Sequence, residues 1–575
     1  MQSRIVMAAT AAFSVVFLSA SEGRCDDQDD IRVLKEEMRR LQAKVRILEA
    51  KQAKPQTAAP RGQVPQSAGG TPTQNGAQPT APVQPTPIAT PFAITLPDNH
   101  KHNSAINLRS SSPAAITQTA VDSLPPILTI GGVSLTLGGF IELSNIYRDK
   151  NMTSGPATAW GSTPYFNDPN AHTSEYRISG QLTRLSALAK GEIDDHRTLG
   201  GYIEADFGGA AGTANSYQIS GYNARIRQAY MSYDDNEMGF HFIAGQAWSL
   251  ATNYTKALLP RQEQVPPVVD NNQIPGIVFT RVPQMRLVKD FDQKYWIGLS
   301  AEESQANYAF SPTTASGDVL PPAFGSAGGT RVVYNNAGGV LLNSLTRYSF
   351  DAAPDIILKG AANTSFGHYE VFGLGRWFRS LALPYGSPSL STKTVFAGGI
   401  GAGTTIPIMS KLDFTGNILV GKGIGRYGPS LIPDATFNAD GSPSPIPELI
   451  ASIGFIGHPR DDLLLYAYGG IETAKGRTYF GPGNAENGYG ANNLNLAGCN
   501  IVFATCNAQL QTLTSFTLGG WWHMLKGRYG SLMSGLQYTY IHKYAFAGNN
   551  GTGQVLRPNT EGNTLYVTFR YFPFQ

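Results

Sequence analysis

Charge is scarce in this 575-residue chain: Asp, Glu, Lys and Arg together make up 15% of it, against about 25% in ordinary soluble domains. A large water-facing surface normally carries more. The charge that is present is near balance, a formal +3 with both signs interspersed, which argues against nucleic acid as a partner. Cysteine is also scarce. With three in all, the chain is no disulfide scaffold. Cys499 and Cys506, seven apart in a Gly/Asn-rich stretch, can close one loop or remain two thiols, while Cys25 can cross-link chains or do nothing. After the first twenty residues no stretch reaches the roughly 18 to 20 unbroken apolar residues of a spanning helix. Catalytic signatures are missing too. There is no His-Glu-x-x-His and no Gly-x-Ser-x-Gly. The segment 416–423 nearly matches a phosphate loop, but Gly423 stands where Ser or Thr must hold magnesium. Gly423, Gly425 and Gly428 have dinucleotide spacing, yet Pro429 follows where a helix must start. The nine histidines are scattered. The expectation is a chain that is not an enzyme and carries no cofactor or metal.

What is there begins with an export signal. Arg4, the apolar stretch 5–18 and the small residues Ser19, Ala20 and Ser21 read as a signal peptide over 1–21. Arg24 occupies the place where a lipoprotein Cys25 would need a small residue. Ile31, Leu34, Met38, Leu41, Val45 and Leu48 follow at a/d heptad spacing, so 26–54 reads as a short α-helical coiled coil that helps chains associate. Residues 55–130 are rich in Pro, Gln and Thr. Such a composition cannot bury enough surface to fold and acts as a disordered tether.

From 131 to 575 the sequence alternates with period two. In 133–147, Val133, Leu135, Leu137, Ile141 and Leu143 oppose Ser134, Thr136, Glu142 and Ser144. Ile203 and Ala205 oppose Glu204 and Asp206, and Leu536 and Tyr538 oppose Gln537 and Thr539. Alternation alone describes a soluble sandwich equally well; the connections decide. Short polar turns near 192–197, 234–239, 291–293, 352–355, 407–411, 459–462 and 526–530 alternate with long Gly/Pro/Asn/Ser segments near 149–175, 209–223, 249–276, 303–330, 379–390, 425–446, 476–510 and 544–562. That rhythm predicts an up-and-down transmembrane β-barrel of about 16 antiparallel strands, with 356–378 read as one strand irregular near Gly367. Closure removes the edges that would aggregate and the unpaired backbone that lipid cannot satisfy.

The segments Leu137-Gly138-Gly139-Phe140-Ile141-Glu142, Gly201-Tyr202-Ile203-Glu204-Ala205-Asp206-Phe207, Arg225-Ile226-Arg227-Gln228-Ala229-Tyr230 and Ala244-Gly245-Gln246-Ala247-Trp248-Ser249, with the order signal, coil, tether, barrel, resemble the DcaP-type trimeric outer-membrane porins. The resemblance implies a homotrimer in the lipid of a Gram-negative outer membrane, one pore per subunit, a periplasmic coiled coil and passive uptake of small anionic, dicarboxylate-like solutes. It also implies that the third long segment, which carries Arg261 and Glu263 among Pro260, Pro266, Pro267 and Pro275, folds inward as the constriction; an outside loop packed on a neighbouring subunit is the alternative. The residues themselves offer candidate pore charges. Arg184 and Lys190 share a strand face with Leu188, Arg225 and Arg227 share another, and Arg281, Arg286 and Lys289 follow the third long segment. Glu142, Glu204 and Asp206 supply opposing charge. A basic excess at a narrow point favours anions, whereas ordinary solvated lumen groups would do nothing of the kind. The competing functional reading is a structural or interaction protein, anchored by the barrel, whose coil and tether contact periplasm or cell wall.

Overall fold

Period-two alternation becomes sixteen antiparallel strands closed into a barrel in the computed structural model. The structure describes residues 127–156, 160–209, 223–270, 274–309, 318–337, 347–430 and 432–574. The signal peptide, coiled-coil seam and tether predicted from sequence lie outside the described residues, except for the tether's last residues, where Ile127–Ile130 are not disordered but form a short strand paired antiparallel with Val133 to Thr136.

The strands are β1 (Val133–Arg148), β2 (Glu175–Ser179 and Arg184–Glu192, both paired to β1), β3 (Arg197–Asp206), β4 (Arg225–Asp235), β5 (Phe240–Trp248), β6 (Arg281–Phe291), β7 (Tyr295–Glu302), β8 (Asp355–Thr364), β9 (Gly367–Leu383), β10 (Ser391–Met409), β11 (Leu412–Lys422), β12 (Pro447–Arg460), β13 (Leu463–Ala474), β14 (Leu510–Gly527), β15 (Gly530–Ala545) and β16 (Asn559–Phe572). Each pairs with the next, and β16 returns to β1 in the register Ile141↔Tyr571 through Arg148↔Thr564. At one end the turns are two to four residues long; at the other lie the long loops. These are L1 (149–174), L2 (207–224), L3 (249–280), L4 (303–354), L5 (384–390), L6 (423–446), L7 (475–509) and L8 (546–558).

The expected strand number is right, but two of its parts are not. The stretch read as a strand before a turn at 352–355 belongs to L4, whose short pieces Arg331–Val333 and Arg347–Asp351 pair with the far end of β9. The stretch 356–378, read as one strand, is two. β8 and β9 meet at a two-residue turn, Ser365 and Phe366. Gly367 permits this turn: its φ is +148°, and a Cβ there would lie 2.8 Å from the Thr405 carbonyl oxygen. The two misreadings cancel in the total.

Facing follows the alternation. Ile141, Leu143, Ile203 and Leu536 point outward and are 57%, 48%, 49% and 57% exposed, while Glu142, Glu204 and Gln537 point inward and are 4%, 0% and 0% exposed. The outward apolar surface runs around the barrel. It far exceeds the few hundred Å² that a water-soluble monomer usually leaves bare, and hydrocarbon surroundings remove that cost. The inward side is not simply wet. Phe140, Ile146, Leu188, Tyr202 and Tyr230 are buried there, and L3 covers much of the wall.

Candidate functional site: the barrel interior

The early strands bring a cluster of arginines together. A register shift opposite β3 at Glu204/Ala205 lets both Arg227 and Gln228 of β4 sit buried. Arg225 forks onto Asp206, Nε–Oδ1 3.0 Å and Nη2–Oδ2 2.7 Å, the bidentate geometry that suits guanidinium to carboxylate. Arg227 bridges two carboxylates, Nε to Glu204 Oε1 at 2.7 Å and Nη1 to Asp206 Oδ2 at 2.8 Å. Arg184 stands 3.9 Å from Glu204 and over the Phe140 ring. Arg281, at the start of β6, stacks on Trp248 with 4.8 Å from guanidinium carbon to ring centroid. It makes no ion pair among the described residues and lies within electrostatic reach of Arg184, Arg225 and Arg227. Four guanidinium groups therefore share two carboxylates. Glu142 is taken elsewhere, paired with Arg570, which also donates to the Val269 carbonyl at 2.9 Å.

The remaining sequence candidates divide between wall, loop and rim. Lys190 is partly buried on the face it shares with Leu188, within electrostatic reach of Arg261. Arg261, at φ +66° in the tip of L3, holds its guanidinium 5.8 Å from the Tyr202 ring. Arg286 does not join Arg281 and Lys289 in a cluster. Successive strand residues face opposite ways: Arg286 is fully buried, donating to Gln284, to Tyr254 Oη at 2.6 Å and to the Trp248 carbonyl, whereas Lys289 bonds the Met238 carbonyl beside the short turn.

L3 folds into the barrel. A small hairpin, Thr255 N to Gln262 O at 2.8 Å and Gln264 N to Asn253 O at 2.7 Å, places Leu250, Ala251, Tyr254 and Leu258 against Trp296, Ile357, Phe372 and Leu419. The later part of L3 packs Val268, Val269 and Ile274 against Tyr466, Trp521 and Tyr566. Loop and wall are stitched by side chains. Glu302 accepts from Leu250 N at 2.8 Å, Glu370 from Tyr254 N at 3.2 Å, Gln537 from Val269 N at 2.7 Å and Glu472 from Gly276 N at 2.8 Å. Lys359 Nζ donates to Thr252 O and to Glu370, each at 2.8 Å, and Trp521 Nε1 to Pro267 O at 2.8 Å. Two glycines allow the approach: a Cβ on Gly276 would lie 2.0 Å from the Ala451 carbonyl oxygen, and one on Gly470 1.6 Å from that of Pro275. Glu263, next to the hairpin tip, is buried, and burial pushes its carboxyl up to about 7.

Sequence reasoning missed a second network. Arg376 pairs with Asp355 at 3.0 Å and with Asp434 of L6 at 2.8 Å, and Tyr427 Oη donates to Asp355 at 3.0 Å. Lys359, Glu370, Arg376 and Glu472 were visible only as charges at the inward phase of otherwise apolar or glycine-rich strands. Outside the barrel wall Cys499 and Cys506 of L7 are joined by a disulfide, and L7 meets L1 through Phe503 N to Asn167 O at 2.8 Å. No group of three or more His, Cys, Asp or Glu side chains among the described residues could hold a metal ion.

No protein-family model matches the chain, and no curated protein matches it. Solved structures do. The outer membrane channel DcaP of Acinetobacter baumannii aligns over 78% of this chain and 100% of its own, with a TM-score of 0.51 and 15% identity. An anion-selective porin from Comamonas acidovorans aligns over 76% and 99%, at TM-score 0.40 and 12% identity. Salmonella typhi OmpF, in complex with daunomycin, aligns over 77% and 100%, at 0.38 and 9%. The sequence resemblance to DcaP-type channels is thus matched in three dimensions: this chain has the fold of the DcaP outer membrane channel.

Proposed function

We propose that the chain is a porin of a Gram-negative outer membrane, assembled as a homotrimer, that lets small hydrophilic solutes diffuse through and favours anions of the dicarboxylate class. The observation that carries this reading is the cluster of four guanidinium groups around two carboxylates on the β2–β6 side. A surplus of fixed positive charge beside a loop that narrows the lumen lowers the energy of an anion there and raises that of a cation. L3 supplies the narrowing, with Arg261 and Lys190 adding to the same sign. The coiled coil at 26–54 is assigned to the periplasm, where it supports trimerisation.

The experiment is reconstitution in planar bilayers. Stepwise conductance with a reversal potential of the sign for anion preference in a salt gradient is the expected result, with dicarboxylates blocking better than sugars. A preference for cations overturns the anion assignment. The extent to which L3 fills the barrel favours a second reading, a structural anchor whose periplasmic segments do the work. A silent bilayer with correctly folded barrels would support it.

A further inference from the structure

The carboxyl of Glu263 is an anomaly inside L3. It is 6% exposed, and neither oxygen meets a side-chain donor. The wall carboxylates Glu302, Glu370 and Glu472 each take a backbone N–H of the loop, whereas Glu263, on the loop itself, has only the N–H groups of its own turn beside it. The groups that face Glu263 are Arg261 and Tyr254 from the hairpin itself, Arg286 from β6 and Tyr230 from β4. Arg286 is not free to pair, because its donors are committed to Gln284, Tyr254 and the Trp248 carbonyl. Arg261 is turned onto the Tyr202 ring. Burial pushes the Tyr254 phenol further up, so it stays neutral. A charged carboxylate in this place has beside it the backbone N–H groups of Arg261 and of Glu263 itself but no cationic side chain paired with it, a costly condition for a buried ion, whereas a neutral carboxyl is tolerated.

We propose that Glu263 is a proton-operated latch on the constriction: with its carboxyl neutral the L3 hairpin stays seated across the lumen, and ionisation of the carboxyl unseats the hairpin and widens the passage. This regulation rests on the channel reading above. The sign follows from linkage. The seated loop holds the proton more tightly than a released loop, in which the carboxyl regains its ordinary value of 4.5. The seated form is therefore favoured in acid. Its ratio to the released form falls as pH rises between 4.5 and about 7, by on the order of a hundredfold. Above that window both forms are ionised and the ratio is flat.

The test uses the full chain in planar bilayers at fixed salt, from about pH 4 to pH 8, a range that spans carboxyl titration. Single-channel conductance of the unmodified protein is expected to rise across the window, and that of Glu263→Gln to remain at the acid level throughout. Glu263→Met provides a second variant should the first not insert, with insertion judged by the heat-dependent mobility shift of folded barrels. A flat profile in the unmodified channel, or a variant that keeps the rise, overturns the latch and leaves the channel reading standing. Silence at every pH overturns both.

Discussion

The two sides of the barrel interior spend their charges differently. On the β2–β6 side, strand pairs with strand: Arg225 and Arg227 meet Asp206 and Glu204 across the β3–β4 ladder, and Arg184 and Arg281 are left in excess. On the β7–β13 side, strand pairs with loop. Glu302, Glu370 and Glu472 accept L3 amides, Glu448 accepts Ile424 N of L6 at 2.6 Å, and Arg376 ties Asp355 to Asp434. A charge used to hold a loop is hydrogen-bonded and dry, and it contributes little to the potential felt by a passing solute. A charge in excess keeps its field. The field of the passage therefore comes from one side and its width from the other, which sequence parity alone cannot separate.

The largest effect is expected where a buried ion pair within the wall also holds the loop. Lys359 and Glu370 are both fully buried at 2.8 Å, and Lys359 also holds Thr252 O. Lys359→Met removes one partner and leaves an uncompensated carboxylate, at a cost of about 3–5 kcal/mol. Urea titration of the barrel in vesicles should show this as a lower midpoint. Bilayer recordings should show larger, noisier conductance with ion preference unchanged. Retained stability with altered ion preference would erase the distinction between the two sides.

Arg281→Ala is the complementary change and should act in the opposite sense. The side chain has no carboxylate to abandon among the described residues, so unfolding should shift little. Its charge, at about 7 Å from a solute in a largely aqueous medium, is worth about 0.6–1.2 kcal/mol. Because the same charge favours the anion and disfavours the cation, the anion-to-cation permeability ratio is then expected to fall by roughly eightfold to sixtyfold, read from the reversal potential in a salt gradient. An unchanged ratio would mean that the surplus charge on this side is screened from the passage.

Much of this architecture was legible because a barrel strand advertises its facing at every second residue. Glu142, Glu204, Gln537 and Arg227 all lie on the inward side, as their apolar neighbours Ile141, Ile203 and Leu536 on the other side require. The turn at Ser365 and Phe366 is marked in the sequence by Asn363-Thr364-Ser365 ahead of Gly367, but a two-residue turn is short enough to pass for an irregularity within one strand. L4 was misread because 347–351 has strand-like residues that do pair, but beyond the wall proper. The loop contacts were illegible for a deeper reason. Nothing local in Glu370 or Glu472 says that its partner is a backbone amide more than a hundred residues away, at Tyr254 or Gly276. Arg281 and Arg286 are five apart, so alternation cannot hold both in one cluster; Arg281 reaches the other arginines only because it begins β6, where its guanidinium turns over Trp248.

The smallest effect on the interior belongs to the covalent tie outside it. Cys499 and Cys506 close a short ring within L7, whose neighbour is L1 through Phe503 and Asn167. A short ring restricts only its own residues in the unfolded chain, by about 2–3 kcal/mol in the loop-closure picture. None of the L3 anchors is in L7, so this local constraint has no direct route to the charges that seat the constriction. The double variant Cys499→Ser, Cys506→Ser is expected to leave single-channel conductance and ion preference unchanged, and to lower the urea midpoint by less than Lys359→Met does. Cleavage of L7 by added protease should accelerate, because the ring's exposed tip, with Phe503 at 85% exposure, loses the tie across its base. A shift in conductance would instead mean that L7 and L1 bear on the lumen, and that the division of labour extends beyond the two sides of the wall to the loops above it.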